Sequence, residues 1–137
     1  MAKISLGKRP ANFHHRIKVT LLDGSTGEIR MLFKYRTRKQ FGEFLDELFQ
    51  EAKLQPESLE PVDMEAAMAL ALAKVVDQNA AFIMKVAEGW DLSDPDTGEP
   101  TEFSQAKVEQ LCDELPGVAM AIIGAYRAAV SEGRLGN

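Results

Sequence analysis

Near the N-terminus, two stretches of alternating apolar and polar residues flank a short polar turn. Such alternation is typical of strands that bury one face. The turn, residues 23–27, contains two glycines among polar residues. We predict a β-hairpin over residues 13–36 with one buried and one basic face, preceded by a loose basic arm over residues 1–12. The apolar positions of the alternation are Ile17, Val19, Leu21, Ile29, Met31 and Phe33.

After the hairpin, apolar residues recur every third or fourth position, which indicates helices. Thr37 and Gln40 have the hydroxyl–amide spacing of a capping box, so a first helix is expected from there to about Lys53. The following loop contains Pro56 and Pro61. Both prolines disfavour a continuous helix across this segment.

A long, Ala-rich and Met-rich helix is predicted next, capped by Asp63 and ending at Gly89. Whether it breaks at Asn79-Ala80 stays open. Its methionines have two interpretations. The favoured one is core filling, and the other is an adaptable groove for a partner helix.

The next segment, residues 91–100, is an acidic turn in which Gly98 supplies conformational freedom. Trp90 is expected to anchor the start of this turn. Phe103 and Ser104 resemble a hydrophobic staple and an N-cap, with Val108 placed to meet Phe103.

A corner at Pro116-Gly117 separates the last two predicted helices, with Pro116 at a first helical position. Tyr126 is expected to pack with its hydroxyl near solvent. The fold class is therefore α+β, mainly α-helical, with four to five helices and an N-terminal β-hairpin. The chain is expected to form a single domain, 1–137, whose helical region spans 37–132.

Charge is unevenly distributed along the chain. Residues 1–40 contain ten lysines and arginines and two acidic residues, a net charge of +8, whereas residues 41–137 contain six basic and nineteen acidic residues, a net charge of −13. Opposite charges on one small molecule favour head-to-tail contacts between copies, and hence a homo-oligomer. The residues assigned to this self-association or to partner contacts are Arg16, Lys18, Arg30, Lys34, Arg36, Arg38, Asp91, Asp94 and Asp96.

Nucleic-acid binding is an alternative use of the basic segment, with Phe13, His14 and Tyr35 available for stacking on bases. The acidic remainder of the chain would repel a long polyanion, which argues against nucleic acid as a partner.

The sequence offers only weak candidates for a metal site or a catalytic centre. His14 and His15 are adjacent on a strand and point to opposite faces, so they cannot readily share one metal. The acidic turn places a proline at the fifth position of a calcium loop counted from Asp91. We therefore expect no cofactor, no metal site and no enzymatic activity.

No apolar run reaches the ~20 residues that span a bilayer, and the basic N-terminus lacks a following apolar segment. The single cysteine, Cys112, cannot form an internal disulfide. These features favour a cytoplasmic protein without membrane contact.

Several local patterns, mainly over residues 82–130, resemble the phage tail assembly chaperone family. A Gly-Trp pair precedes an acidic Asp/Gly turn, a Phe-Ser helix start, a Leu-containing helix, a Pro-Gly corner and a last helix with alanines and a tyrosine. The residues that carry the resemblance, and serve as structural anchors, are Trp90, Gly98, Phe103, Pro116, Gly117 and Tyr126.

The resemblance implies a non-enzymatic protein of the bacterial host cytoplasm, encoded by a phage or prophage. It would bind the tape measure protein and recruit tail tube subunits. The alternatives are a structural tail or head-completion protein of the virion, and a small nucleic-acid-binding regulator.

Overall fold

Four helices and three strands make up the part of the chain that the computed structural model describes, residues 2–54 and 64–135. The α+β architecture predicted from the sequence is confirmed. In chain order the elements are β1 (Asn12–Thr20), β2 (Thr26–Lys34), α1 (Arg38–Leu54), α2 (Met64–Val86), β3 (Ala87–Trp90), α3 (Gln105–Glu114) and α4 (Val118–Glu132).

The predicted hairpin is present, with β1 and β2 paired antiparallel from Asn12↔Lys34 to Thr20↔Thr26 without a register shift. The turn is shorter than predicted, because Thr26 and Gly27 already belong to β2. Leu21 closes it by donating its backbone N–H to the carbonyl of Ser25 at 2.8 Å. As predicted, the buried face is apolar apart from the half-buried His15, and the opposite face carries the basic residues, together with Glu28.

The C-terminal end of α2 differs from the prediction. The helix ends at Val86 instead of Gly89, and Ala87–Trp90 forms β3. This strand pairs antiparallel with β2, with a register shift between Leu32 and Phe33. A four-residue strand is too short to show its own period in a sequence. The helix continues through residues 79–80 without a break.

Local capping explains where α1 and α3 begin. At α1, Thr37 and Gln40 exchange backbone-to-side-chain hydrogen bonds of 2.9 and 3.2 Å, which confirms the capping box. At α3, Lys107 donates its backbone N–H to Ser104 Oγ at 3.3 Å. The expected cap of α2, Asp63, lies outside the described residues, as do Pro56 and Pro61.

The corner between α3 and α4 requires a correction. The last helix begins at Val118 with Gly117 as its N-cap, so Pro116 lies in the turn and not at a first helical position. Pro116 still suits this place, because a fixed φ favours turns as well as helix starts. The helix ends at Glu132 and is followed by Gly133, which has a φ of 71°.

One hydrophobic core lies between the inner face of the sheet and the helices. Helix α4 packs on β1, and α2 contacts both α3 and α4. Within the described residues no charged residue is buried, and Tyr126 brings a polar hydroxyl into the core. The largest fully buried side chains are Tyr126, Phe33, Met31, Ile83, Ile122, Val86, Val108 and Val118.

Candidate protein-binding surfaces

One face of α2 is core at its C-terminal half and exposed at its N-terminal half. Ile83 and Val86 on this face are fully buried. Three or four residues apart on the same face, Met68, Leu72 and Val75 are 63%, 70% and 47% exposed. We call these three residues the α2 stripe. Their spacing continues the core face beyond the end of the core.

The α2 stripe is an energetically unfavourable surface for an isolated domain. Burying a side chain such as leucine or methionine contributes about 1.5–3 kcal/mol, so covering the exposed parts of the three would contribute about 4 kcal/mol. A helix with this much apolar surface is normally covered. The stripe is therefore a candidate site for a protein partner.

A groove of about 450 Å³ lies between α2 and α3, on the flank of the same helix. Its apolar lining comes from Ala73, Val76 and Ala106. Its polar lining is acidic, with carboxylates from Asp77, Glu109 and Asp113, and a neutral amide from Gln110. A partner that covers the stripe and reaches this groove would meet negative charge there.

The outer face of the hairpin carries the basic residues that the sequence assigned to a binding surface. Arg16 and Lys18 on β1 and Arg30 on β2 are exposed, and Arg16 lies directly opposite Arg30. Among residues 2–54 and 64–135, no carboxylate forms an ion pair with any of these three residues. The ion pair found in this part of the chain joins Lys85 and Glu51 at 3.0 Å. Glu28 of β2 lies directly opposite Lys18, so the pair of positive charges on this face without an opposing carboxylate is Arg16 and Arg30.

The remaining predicted basic residues divide into two groups. Arg38 is exposed at the start of α1, and Lys34 is half-buried at the end of β2. The guanidinium of Arg36, in contrast, is used inside the molecule. It lies 4.1 Å from the centre of the Phe44 ring and donates from Nη2 to the carbonyl of Lys85 at 3.3 Å.

Tyr126 completes this internal network, and its hydroxyl is not near solvent as the sequence suggested. The residue is fully buried. Its hydroxyl accepts a 2.9 Å hydrogen bond from Arg36 Nη1 and donates one of 3.0 Å to the carbonyl oxygen of Lys34. Burial raises the pKa of Tyr126, whereas the hydrogen bond and charge of Arg36 act to lower it. The hydroxyl joins α4 to the end of the hairpin.

The acidic turn folds back on itself. Asp94 Oδ1 accepts backbone N–H bonds from Asp96 at 2.8 Å and Thr97 at 3.1 Å, which lower the pKa of the Asp94 carboxyl. Gly98 has a φ of 75°, as a turn glycine should. Asp91 accepts a 2.9 Å bond from the backbone N–H of Arg30, so acidic and basic residues of the predicted surfaces meet here within one chain.

The aromatic anchor of this turn lies where the sequence placed it. Trp90 packs edge-on against Phe103 with ring centres 5.2 Å apart, and its Nε1 donates to the carbonyl of Thr101 at 2.8 Å. These contacts fix the turn against the start of α3.

The described residues bring together no group of three or more potential metal ligands. Cys112 is buried, and desolvation, with a smaller contribution from Glu109, raises its pKa from 9.0 to about 11. A thiol of this kind is a poor nucleophile, because the thiolate is the reactive form. No helix of the described chain has the length and apolarity needed to cross a membrane.

A family model described as phage tail assembly chaperone matches residues 1–137. The chain belongs to the phage tail assembly chaperone family. The match spans the hairpin as well as the helices, so it extends beyond residues 82–130, where the resemblance was strongest. No significant match was found among curated proteins or solved structures.

Membership in this family makes the protein a non-enzymatic chaperone that acts in the host cell and whose partners are phage tail proteins. A chaperone acts through surfaces that bind other proteins and does not need a catalytic centre. The charges along the sequence predicted exposed basic residues on the hairpin, and Arg16, Lys18 and Arg30 are exposed there. The sequence did not separate the exposed half of α2 from the buried half, because both have the same apolar spacing.

Proposed function

We propose that this chaperone binds an apolar helix of the tape measure protein on the α2 stripe and recruits tail tube subunits to it in the host cytoplasm. The observation that supports this proposal is the exposure of Met68, Leu72 and Val75 on a helix face that is core further along. Helix-in-groove recognition uses such apolar positions spaced by three or four residues. Reversible burial of the stripe would shield the client from aggregation.

The acidic lining of the neighbouring groove indicates which charge the client helix carries. Asp77, Glu109 and Asp113 line it beside small apolar residues. A client helix with basic residues flanking its apolar face would match both features. An acidic client helix would be repelled at the same place.

Copies of the chaperone are further proposed to associate through opposite charges. The exposed basic residues of the hairpin and of the start of α1 supply one surface, and Asp94 and Asp96 of the acidic turn supply the other. Arg36 and Asp91 contribute less, because both are engaged within the chain. Such contacts are screened by salt.

The client proposal is tested by co-expression with the tape measure protein and pull-down of the soluble complex. Met68→Gln and Leu72→Gln remove apolar surface without adding charge and preserve helix propensity. Met120→Gln and Leu22→Gln are matched controls, since these residues are 65% and 79% exposed on other elements. We expect the first pair to lower the recovered client at least about fivefold, which corresponds to roughly 1 kcal/mol.

If the stripe variants and the control variants lower client recovery equally, or if neither pair lowers it, α2 has no specific role in binding the client. Mass spectrometry of purified particles provides the second measurement. A chaperone should be absent from the finished virion, whereas stoichiometric retention would identify a structural tail protein.

Self-association is tested by sedimentation of the chaperone at about 50 mM and about 500 mM salt, where the screening length falls severalfold. We expect larger species at low salt. Arg38→Glu should reduce them, and Arg38→Glu combined with Asp96→Arg should restore part of the association. A monomer at both salt concentrations would refute this part of the proposal.

A further inference from the structure

Strand β1 forms a long and regular edge of the sheet. The strand order is β1-β2-β3, so β1 has a strand neighbour on one side among the described residues. All nine of its residues, Asn12–Thr20, oppose β2 without a register shift. It contains no proline and no bulge, and its edge charges, Arg16 and Lys18, discourage pairing with strands of like charge. Its outer backbone groups are therefore arranged to accept another strand.

The side chains of β1 on the outer face of the sheet carry no negative charge. They are Asn12, His14, Arg16, Lys18 and Thr20. Arg16 also lies opposite Arg30 of β2, a like-charge pair that destabilises an isolated hairpin. An acidic side chain beside Arg16 would relieve this repulsion.

A second copy of β1 is a poor occupant of this edge. Antiparallel pairing of two β1 strands about Arg16 places Arg16 opposite Arg16, and pairing about Ile17 places Arg16 opposite Lys18. Like charges directly opposite one another in a sheet are destabilising. The charges therefore disfavour the self-pairing that an edge of this length invites, and they favour a strand of the opposite charge.

We propose that the free edge of β1 binds an extended segment of a partner protein that carries carboxylates at alternate positions. Backbone hydrogen bonds to β1 provide the pairing, and the carboxylates lie on the outer face beside Arg16 and Lys18. The remaining positions of the segment point to the inner face, near His15, which is half-buried. This site is separate from the α2 stripe and does not depend on the identity of the client there.

The test uses the full chain and a nine-residue peptide in which glutamate alternates with valine and threonine. Binding is followed by titration and by hydrogen exchange of the β1 amides. We expect exchange of the amides on the side away from β2 to slow by about tenfold or more at saturation. Arg16→Glu should weaken binding about fivefold or more, whereas Lys107→Glu, an exposed change on α3, should leave it unchanged.

Two control peptides separate strand addition from simple charge attraction. In one, the same residues are reordered so that the glutamates are contiguous; in the other, alternate backbone amides are methylated. Both should bind at least about fivefold more weakly than the alternating peptide. Equal binding of either control, or binding without protection of the β1 amides, would overturn the proposal.

Two further results would overturn the proposal by showing that a different molecule binds the β1 edge. Tighter binding of a nine-nucleotide oligothymidylate than of the peptide would identify a nucleic-acid surface. Protection of the same β1 amides on raising the protein concentration alone would identify a second copy.

Discussion

Replacing Tyr126 with phenylalanine removes one hydroxyl group that joins α4 to the end of β2 and to the segment between β2 and α1. The hydroxyl donates to the Lys34 carbonyl at 3.0 Å and accepts from Arg36 at 2.9 Å. A neutral hydrogen bond contributes about 1 kcal/mol and one to a charged group about 1.5–3 kcal/mol. Because Arg36 is half-buried, water can replace part of the second bond. We expect Tyr126→Phe to lower the free energy of unfolding by about 2–3 kcal/mol, or Tm by about 8 °C.

The assay is urea unfolding followed by circular dichroism, with Tyr35→Phe as the control. The hydroxyl of Tyr35 forms no hydrogen bond with the described residues, so this variant should change stability by less than about 0.5 kcal/mol. A double-mutant cycle with Arg36→Met should give a coupling energy of about 1–2 kcal/mol between Arg36 and Tyr126. A loss below about 0.5 kcal/mol in Tyr126→Phe, or additive effects in the cycle, would refute this account of the network.

The same variant has a pH signature. The pKa of Tyr126 is raised above its ordinary value of 10.0 by burial. Its protonated form therefore stabilises the fold fully below about pH 10, and this contribution is lost as the pH rises through the folded-state pKa. The difference in stability between wild type and Tyr126→Phe should narrow above pH 10. A constant difference up to pH 11 would contradict the raised pKa.

The other predictions concern one cysteine and two glycines. The Cys112 thiol, with its pKa near 11, should react with Ellman's reagent at pH 8 at least about 100-fold more slowly in the native chaperone than in the unfolded chain, and equal rates would contradict its burial. Gly124→Ala, in the exposed middle of α4 with open space around the added Cβ, should raise the free energy of unfolding by about 0.5–1 kcal/mol. Gly98→Ala, at a φ of 75°, should lower it by about 1–2 kcal/mol, and urea midpoints that shift in the same direction for both variants would contradict this contrast.

Local signals in the sequence predicted the elements whose determinants are adjacent in the chain. The hairpin alternation, the Thr37–Gln40 capping box and the Ser104 cap need only a few neighbouring residues, and the structure contains all three. Strand β3 was missed because its existence depends on pairing with β2, more than fifty residues earlier. A four-residue segment after a helix is too short to show the alternation of apolar and polar residues that would predict this strand.

The roles of Arg36 and Tyr126 depend on tertiary contacts in the same way. From the sequence we predicted Arg36 on a basic surface and the Tyr126 hydroxyl near solvent. The partners that change these assignments lie far away in sequence: Lys85 is 49 residues from Arg36, and Lys34 is 92 residues from Tyr126. The pattern of charges along a sequence does not show whether an arginine side chain contacts an aromatic ring and a backbone carbonyl or extends into solvent.

The α2 helix shows why function was harder to locate than fold, and it provides the last prediction. Ile83 and Leu72 lie on the same helix face, but Ile83 is fully buried and Leu72 is 70% exposed. Ile83→Ala should therefore lower the free energy of unfolding by about 2–5 kcal/mol, because it leaves a cavity. Leu72→Ala should change it by less than about 0.5 kcal/mol and should act on client binding instead. Urea unfolding of both variants checks the contrast. If Leu72→Ala is as destabilising as Ile83→Ala, the chaperone covers its own stripe in solution, and a client could reach that face only by displacing the covering segment.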